Sequence, residues 1–281
     1  MPKYITENAL SADNQQATPI SSGSPQRLYA EYPKKRRLTS QEAILLGVLY
    51  TDGCLSKKSK NCWRFYLSNT SFEIIETFRR SMIKVFNLDN QKIKISQKIV
   101  NGKPFYKAIV DSGCCGSVLT SKYGTFRTLA YKGKGGRKIY PPTKLPFTKN
   151  DNLGIISKFL QIAFSCDGGV NLYIAKSKSG YRFLIRNLYI ACHHPQLQLD
   201  YRNLLSLLKV RSKILLKDNK VLVQGKQNLQ NFRDKIGFLD KVKITQHSAF
   251  WQGREKNEVL NLILSSYGNP RDIINLPQFL G

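Results

Sequence analysis

Asp52 and Asp167 each close a short apolar run with an Asp-Gly pair, in Ala43-Ile-Leu-Leu-Gly-Val-Leu-Tyr-Thr-Asp52-Gly53 and Phe159-Leu-Gln-Ile-Ala-Phe-Ser-Cys-Asp167-Gly168. Either run alone reads equally well as a buried helix ended by a turn. Two copies separated by the length of a small domain point to a duplicated unit that carries one acid per copy. If the two helices pack side by side in the same direction, both carboxylates arrive in one volume at the helix C-termini. Those termini also present unpaired carbonyls and the negative pole of each helix dipole, so two anions there call for a cation. Oxygen-only donors suit a hard divalent ion such as Mg²⁺, with Mn²⁺ as a substitute, completed by water and phosphate oxygens. The chemistry these residues suggest is therefore at a phosphate ester.

The elements that must position the acids are legible around them. Ile44, Leu45, Leu46, Val48 and Leu49 leave the first run apolar on every side, so it must be buried against other protein. Thr39 followed by Glu42 is a capping-box start, and Asn150-Asp151-Asn152 begins the second run. Gly47 inside the first helix costs about 1 kcal/mol relative to alanine, which close approach of another backbone would offset. Downstream, the patterns predict a strand over Arg64–Asn69, a helix over Phe72–Phe86 and a hairpin over Ile93–Val110 turning at Asn101-Gly102. The second copy repeats the order with strands Val170–Lys176 and Arg182–Ala191, a helix Leu197–Val210 and a hairpin Ile214–Val223 turning near Asp218-Asn219. The expected fold is α+β: two pseudo-symmetric αββαββα repeats, each with one antiparallel sheet, with the two apolar helices at the interface. Expected boundaries are a disordered, basic-ended extension at 1–38, a first repeat at 39–131, a linker at 132–150 and a second repeat at 151–281.

Leu45-Leu-Gly-Val-Leu-Tyr-Thr-Asp-Gly53 and Leu160-Gln-Ile-Ala-Phe-Ser-Cys-Asp-Gly168 resemble the two motifs of the single-chain LAGLIDADG homing endonuclease family. The resemblance implies a saddle of two sheets on DNA and a metal-binding role for Asp52 and Asp167 at the centre of the target. Tyr50 and Ser165 stand where the family pattern has a first acid, and Ile162 where it usually has glycine, leaving Ala163 as the small residue expected at the helix contact. The resemblance also places an assisting lysine after the core of each repeat: Lys243 in the second half, and Lys132 or Lys134 in the first. For any one of these lysines an ordinary phosphate contact or surface charge is the competing reading.

Composition bears on the partner independently. Forty-five Lys and Arg against eighteen Asp and Glu give a net charge of +27, a balance suited to a polyanion, with nucleic acid the expected one. In the first repeat Lys92, Lys94, Ser96 and Lys98 alternate with Ile93, Ile95 and Ile99, giving one polar and one core face. In the second, Asn171 and Tyr173 alternate with Val170, Leu172 and Ile174, and Arg182 and Arg186 share a face of the next strand. Such faces read either as solvated surface or as ribbons that contact bases and phosphates. The six cysteines show no CxxC pair, and Cys192-His193-His194 are too close in sequence to converge on one ion. A reducing intracellular compartment is expected, cytoplasm, nucleus or organelle not being distinguished. With no apolar stretch long enough to span a bilayer, a soluble protein is expected, and the resemblance to the single-chain, two-motif type implies a monomer. The expected function is site-specific double-strand cleavage of DNA at a long target, from an intron or intein. The alternatives are an RNA-binding intron maturase of the same fold, which would have intron RNA as a partner, and a catalytically silent DNA-binding regulator.

Overall fold

The computed structural model describes residues 38–245 and 250–268. The extension expected at 1–38 lies outside them apart from Leu38, as does the end of the second repeat. Helix α1 (Ser40–Leu49) opens with the capping box: Glu42 N–H donates to Thr39 Oγ1 at 3.1 Å and Thr39 N–H to Glu42 Oε2 at 2.9 Å. Burial alone would raise the Glu42 pKa. The Lys122 ammonium, 2.8 Å from Oε1, and the Thr39 bonds outweigh it and hold the acid below its ordinary range. Ala43, Leu45, Leu46, Val48 and Leu49 are all essentially inaccessible, as an all-round apolar helix requires.

From α1 the chain runs through β1 (Gly53–Ser59), β2 (Cys62–Asn69), α2 (Phe72–Phe86), β3 (Lys94–Val100), β4 (Lys103–Ser112) and α3 (Gly113–Tyr123). The strands form one antiparallel sheet in the order β1-β2-β4-β3. Asn101 and Gly102 turn the β3–β4 hairpin with φ of 50° and 72°, the left-handed pair a two-residue hairpin needs. One sheet face, with Phe65, Leu67, Ala108 and Val110, is buried with Ile74, Ile75, Phe78 and Met82 of α2 in the core. Burial of each large side chain contributes on the order of 1.5–3 kcal/mol. The other face is open.

A short ribbon, β5 (Tyr131–Lys132) and β6 (Lys138–Ile139), forms at the start of the connection expected as linker at 132–150. The pattern then recurs as α4 (Leu153–Asp167), β7 (Gly168–Lys176), β8 (Arg182–Ala191), α5 (Pro195–Leu207), β9 (Ser212–Leu215), β10 (Lys220–Gln224) and α6 (Lys226–Lys235). Its sheet has the matching order β7-β8-β10-β9. An extra helix, α7 (Lys256–Ser265), completes the second half. The expected pair of αββαββα repeats is thus present, and α1 packs on α4 between them.

The contact at Gly47 differs in detail from expectation. A Cβ there would stand 3.0 Å from both Ile162 Cβ and Phe159 O, so Ile162 itself fills the space the glycine leaves. One missing side chain serves both helices, and Ala163 is not needed as a substitute for a second glycine. The isoleucine face of β3 is a second correction. Ile93 is buried, whereas Ile95 and Ile99 are 37% and 64% exposed, because β3 is the sheet's outer strand. Lys92 precedes that strand, at the end of a 3-10 turn (Asn90–Lys92), and so is not part of its lysine face.

Candidate active site

The helices α1 and α4 run in the same direction, and Asp52 and Asp167 meet just beyond and at their C-terminal ends. Both line one cleft of about 700 Å³. First-half residues of its wall include Ser68, Asn69 and Phe105; second-half residues include Asn171, Tyr173, Tyr189 and Lys243. The cleft therefore lies between the two open sheet faces.

Burial raises the pKa of both acids. For Asp167 the neighbouring Asp52 charge raises it further, to about 8. For Asp52 the direction is the same, moderated by Asn69 Nδ2, which donates to Oδ2 at 2.7 Å, and by the Lys256 charge. Asn69 is itself fixed by Ser71 N–H, which donates to Oδ1 at 2.7 Å. The halves differ at this point. Leu67 pairs with Gly53 and Ile190 with Gly168, so two residues on from each pair, Asn69 corresponds to Cys192. The Cys192 thiol, pushed up to about 12 by burial, donates to His194 O at 3.6 Å.

Lys256, the first residue of α7, is the largest departure from the sequence reading. It is 7% exposed, and its Nζ donates to Ser165 O at 2.7 Å, Gly168 O at 2.6 Å and Phe164 O at 3.4 Å. These carbonyls lie where α4 ends, Phe164 O also accepting the Gly168 N–H, and the cation sits at the negative pole of that helix. Burial lowers the Lys256 pKa to about 8, against the opposing pull of Cys166, Asp52 and Asp167. In the sequence, Glu255-Lys256-Asn257-Glu258 looks like an exposed helix start. Nothing local marks a lysine that reaches a helix end some ninety positions away. Asn69 is hidden for a similar reason, as the polar end of the strand predicted over Arg64–Asn69.

The two non-acid motif positions have structural partners. Tyr50 O–H donates to Lys144 O at 3.1 Å, and burial pushes its pKa up. Ser165 O–H donates to Gln161 O at 2.7 Å while its oxygen accepts Leu239 N–H at 2.7 Å. Of the three lysines expected to assist, Lys243 lines the cleft with the acids. Lys132 belongs to β5 and Lys134 to the turn after it, and neither is among the cleft-lining residues. Among the described residues no cluster of three or more His, Cys, Asp or Glu is placed to hold a metal ion. His194, next to Cys192, is buried with Nε2 against Pro141 O at 2.8 Å.

On the open face of the first sheet, cross-strand pairing puts Lys94, Ser96 and Lys98 opposite Ile109, Lys107 and Phe105, with Arg64 and Tyr66 on the adjoining strand. Lys98 lies over the Phe105 ring and Lys107 over Tyr66. On the second sheet Asn171 and Tyr173 pair with Asn187 and Ile185 on the open face, and Asn171 Nδ2 donates to Asn187 Oδ1 at 2.9 Å. Arg186 is a correction. It pairs with the buried Leu172, so it lies on the opposite face, where Nε donates to Ser266 Oγ at 2.7 Å and the guanidinium covers Tyr267. It ties down the end of α7. Arg182 pairs with Lys176 and by alternation shares that far face.

Among the described residues no helix is long and apolar enough to cross a membrane. No protein-family model matches the chain, and no curated protein does. Among solved structures the chain is similar to the homing endonuclease I-DmoI in complex with DNA and Ca, at 17% identity and a TM-score of 0.46, over 70% of this chain and 88% of that one. It is also similar to I-WcaI bound to its DNA recognition sequence, at 15% identity and a TM-score of 0.45, over 79% of this chain and 92% of that one. A further similar structure is that of the I-LtrWI LAGLIDADG homing endonuclease bound to target DNA, at 12% identity and a TM-score of 0.49, over 86% of this chain and 94% of that one.

Proposed function

We propose that this chain is a site-specific DNA endonuclease of the homing type, which breaks both strands of a long duplex target by divalent-metal-dependent hydrolysis. The observation that carries this reading is the meeting of Asp52 and Asp167, one from each half, at paired helix ends between two open sheet faces. A stable binding protein gains nothing from two carboxylates forced together. Burial and mutual repulsion make the pair unfavourable until a cation arrives, and the donor set is oxygen-only, which suits Mg²⁺ or Mn²⁺. Asp52 and Asp167 would hold such an ion, with water and phosphate oxygens completing its shell. When bound, it would lower the pKa of a water for attack on phosphorus and stabilise the leaving oxygen.

The remaining tasks fall to this chain's own residues. Asn69 orients the Asp52 carboxylate through its 2.7 Å bond. Lys256 holds the end of α4, and with it the backbone on either side of Asp167, while offsetting part of the acid pair's charge. Lys243, on the cleft wall, is placed to meet a phosphate. Lys94, Lys98 and Lys107 supply the electrostatic grip on the backbone of the duplex. The site is completed within one chain, which supports action as a monomer, and the six free cysteines support a reducing intracellular compartment.

The test is cleavage of a randomised duplex library with Mg²⁺, followed by sequencing of the broken ends, alongside Asp52→Asn and Asp167→Asn proteins. One long recurring site should be cut by the unmutated chain, while each variant should bind that site and make no double-strand break. Full cutting by the double variant would overturn the site assignment.

A further inference from the structure

The two open sheet faces are chemically unlike. On the first, Arg64, Lys94, Lys98 and Lys107 lie among Ser96, Phe105 and Ile109, with Asp111 beside them. On the second, the four cross-strand pairs that extend from the acid pair outward along β7 and β8 contain no charge at all: Gly169 with Tyr189, Asn171 with Asn187, Tyr173 with Ile185 and Ala175 with Phe183. The arginines of β8 point to the other side of that sheet, Arg186 being bound to Ser266. Tyr173 and Phe183 are each 42% exposed. Lysine enters this face only on β10, where Lys220 lies over the Tyr189 ring, and on β9, where Lys213 pairs with Leu222.

A sheet face with exposed aromatic and aliphatic side chains needs an apolar partner. Here the partner is constrained. A duplex gripped by the basic first sheet and presented to the acids must continue over β7 and β8. In its major groove the only apolar group on the base edges is the thymine C5-methyl. From this we infer that β7 and β8 read a T·A-rich half-site through thymine methyl groups, with Tyr173, Ile185 and Phe183 as the specificity-determining contacts and the Asn171–Asn187 pair as the polar reader between them. The first sheet supplies the salt-sensitive part of binding, and the second supplies a largely salt-insensitive part. This inference rests on the duplex-binding part of the proposed function and not on cleavage.

The experiment is binding-site selection by the full chain from a randomised duplex pool in Ca²⁺, followed by affinity measurements on the selected duplex with thymine replaced by deoxyuridine, which deletes only the methyl group. The selected site should have a T·A-rich half. Deoxyuridine there should weaken binding about fourfold per contacted methyl, the effect of losing one buried methylene-sized group, and deoxyuridine in the other half should have little effect. Replacing Phe183 by Ser or Tyr173 by Ser should erase the methyl dependence at its own base pair and leave the slope of log K against log salt unchanged. A selected site without the T·A bias, or affinity unmoved by deoxyuridine in either half, would overturn the inference while leaving duplex recognition standing. Failure to enrich any duplex would overturn both it and the proposed function.

Discussion

At the scale of single residues, Asp52 and Asp167 are legible in the sequence because an acid after an apolar run is conspicuous and the run occurs twice. Their environment is not. Asn69 and Lys256 act across long sequence separations, and each is an ordinary residue in its local context. The paired acids also carry a cost that can be measured. The folded chain holds the Asp167 proton up to about pH 8, whereas an unfolded Asp releases it near its ordinary value of 3.8. Between those limits the folded state binds more protons than the unfolded one, so this group's contribution to stability falls as pH rises. Asp167→Asn should therefore melt higher than the unmutated chain in chelator. The gap should open from pH 5 to pH 8 and reach at least ~1 kcal/mol, or several degrees in Tm. Added Mg²⁺ should narrow it, because the ion stabilises only the chain that keeps both carboxylates. Thermal melts across pH, with and without the metal, check both statements.

At the scale of elements, a helix with a strong cap is readable, as α1 shows, and so is one with one-sided periodicity, as α2 shows. Strand β1 is hidden because Gly53-Cys-Leu-Ser-Lys-Lys-Ser59 is mostly polar and exposed, and its strand state comes from pairing with β2. The outward face of β8 is equally hidden, because alternation says which residues share a side and leaves open which side meets the core. That choice is made by register, Leu172 against Arg186. Helix contact at Gly47, in turn, is legible from the glycine itself. Gly47→Ala would improve local helix propensity by about 1 kcal/mol. Its new Cβ would meet a backbone carbonyl and an Ile Cβ at 3.0 Å, neither of which can swing away. The net result should be a destabilisation of about 1–3 kcal/mol, seen as a lower midpoint in urea unfolding.

At the scale of the whole molecule, net charge points to a polyanion, and the open faces show that the charge is unevenly deployed. Replacing Lys94, Lys98 and Lys107 together by alanine should flatten the salt dependence of duplex binding by about 2 to 3 in log–log slope, at roughly 0.9 for each phosphate left without its lysine. An unchanged slope in a filter-binding titration would remove that face from the interface. The duplication itself is visible in sequence, but the inequality of the halves is not, since it lies in which side of a strand faces outward and in what replaces Asn69 across the pseudo-symmetry. A continuous segment connects α3, which ends at Tyr123, to α4, which begins at Leu153. Because that segment joins both acid-bearing helices covalently, the site has no association equilibrium to satisfy: a single molecule at any dilution is already assembled. Copy number can fall to a few per compartment without loss of the fraction that is competent.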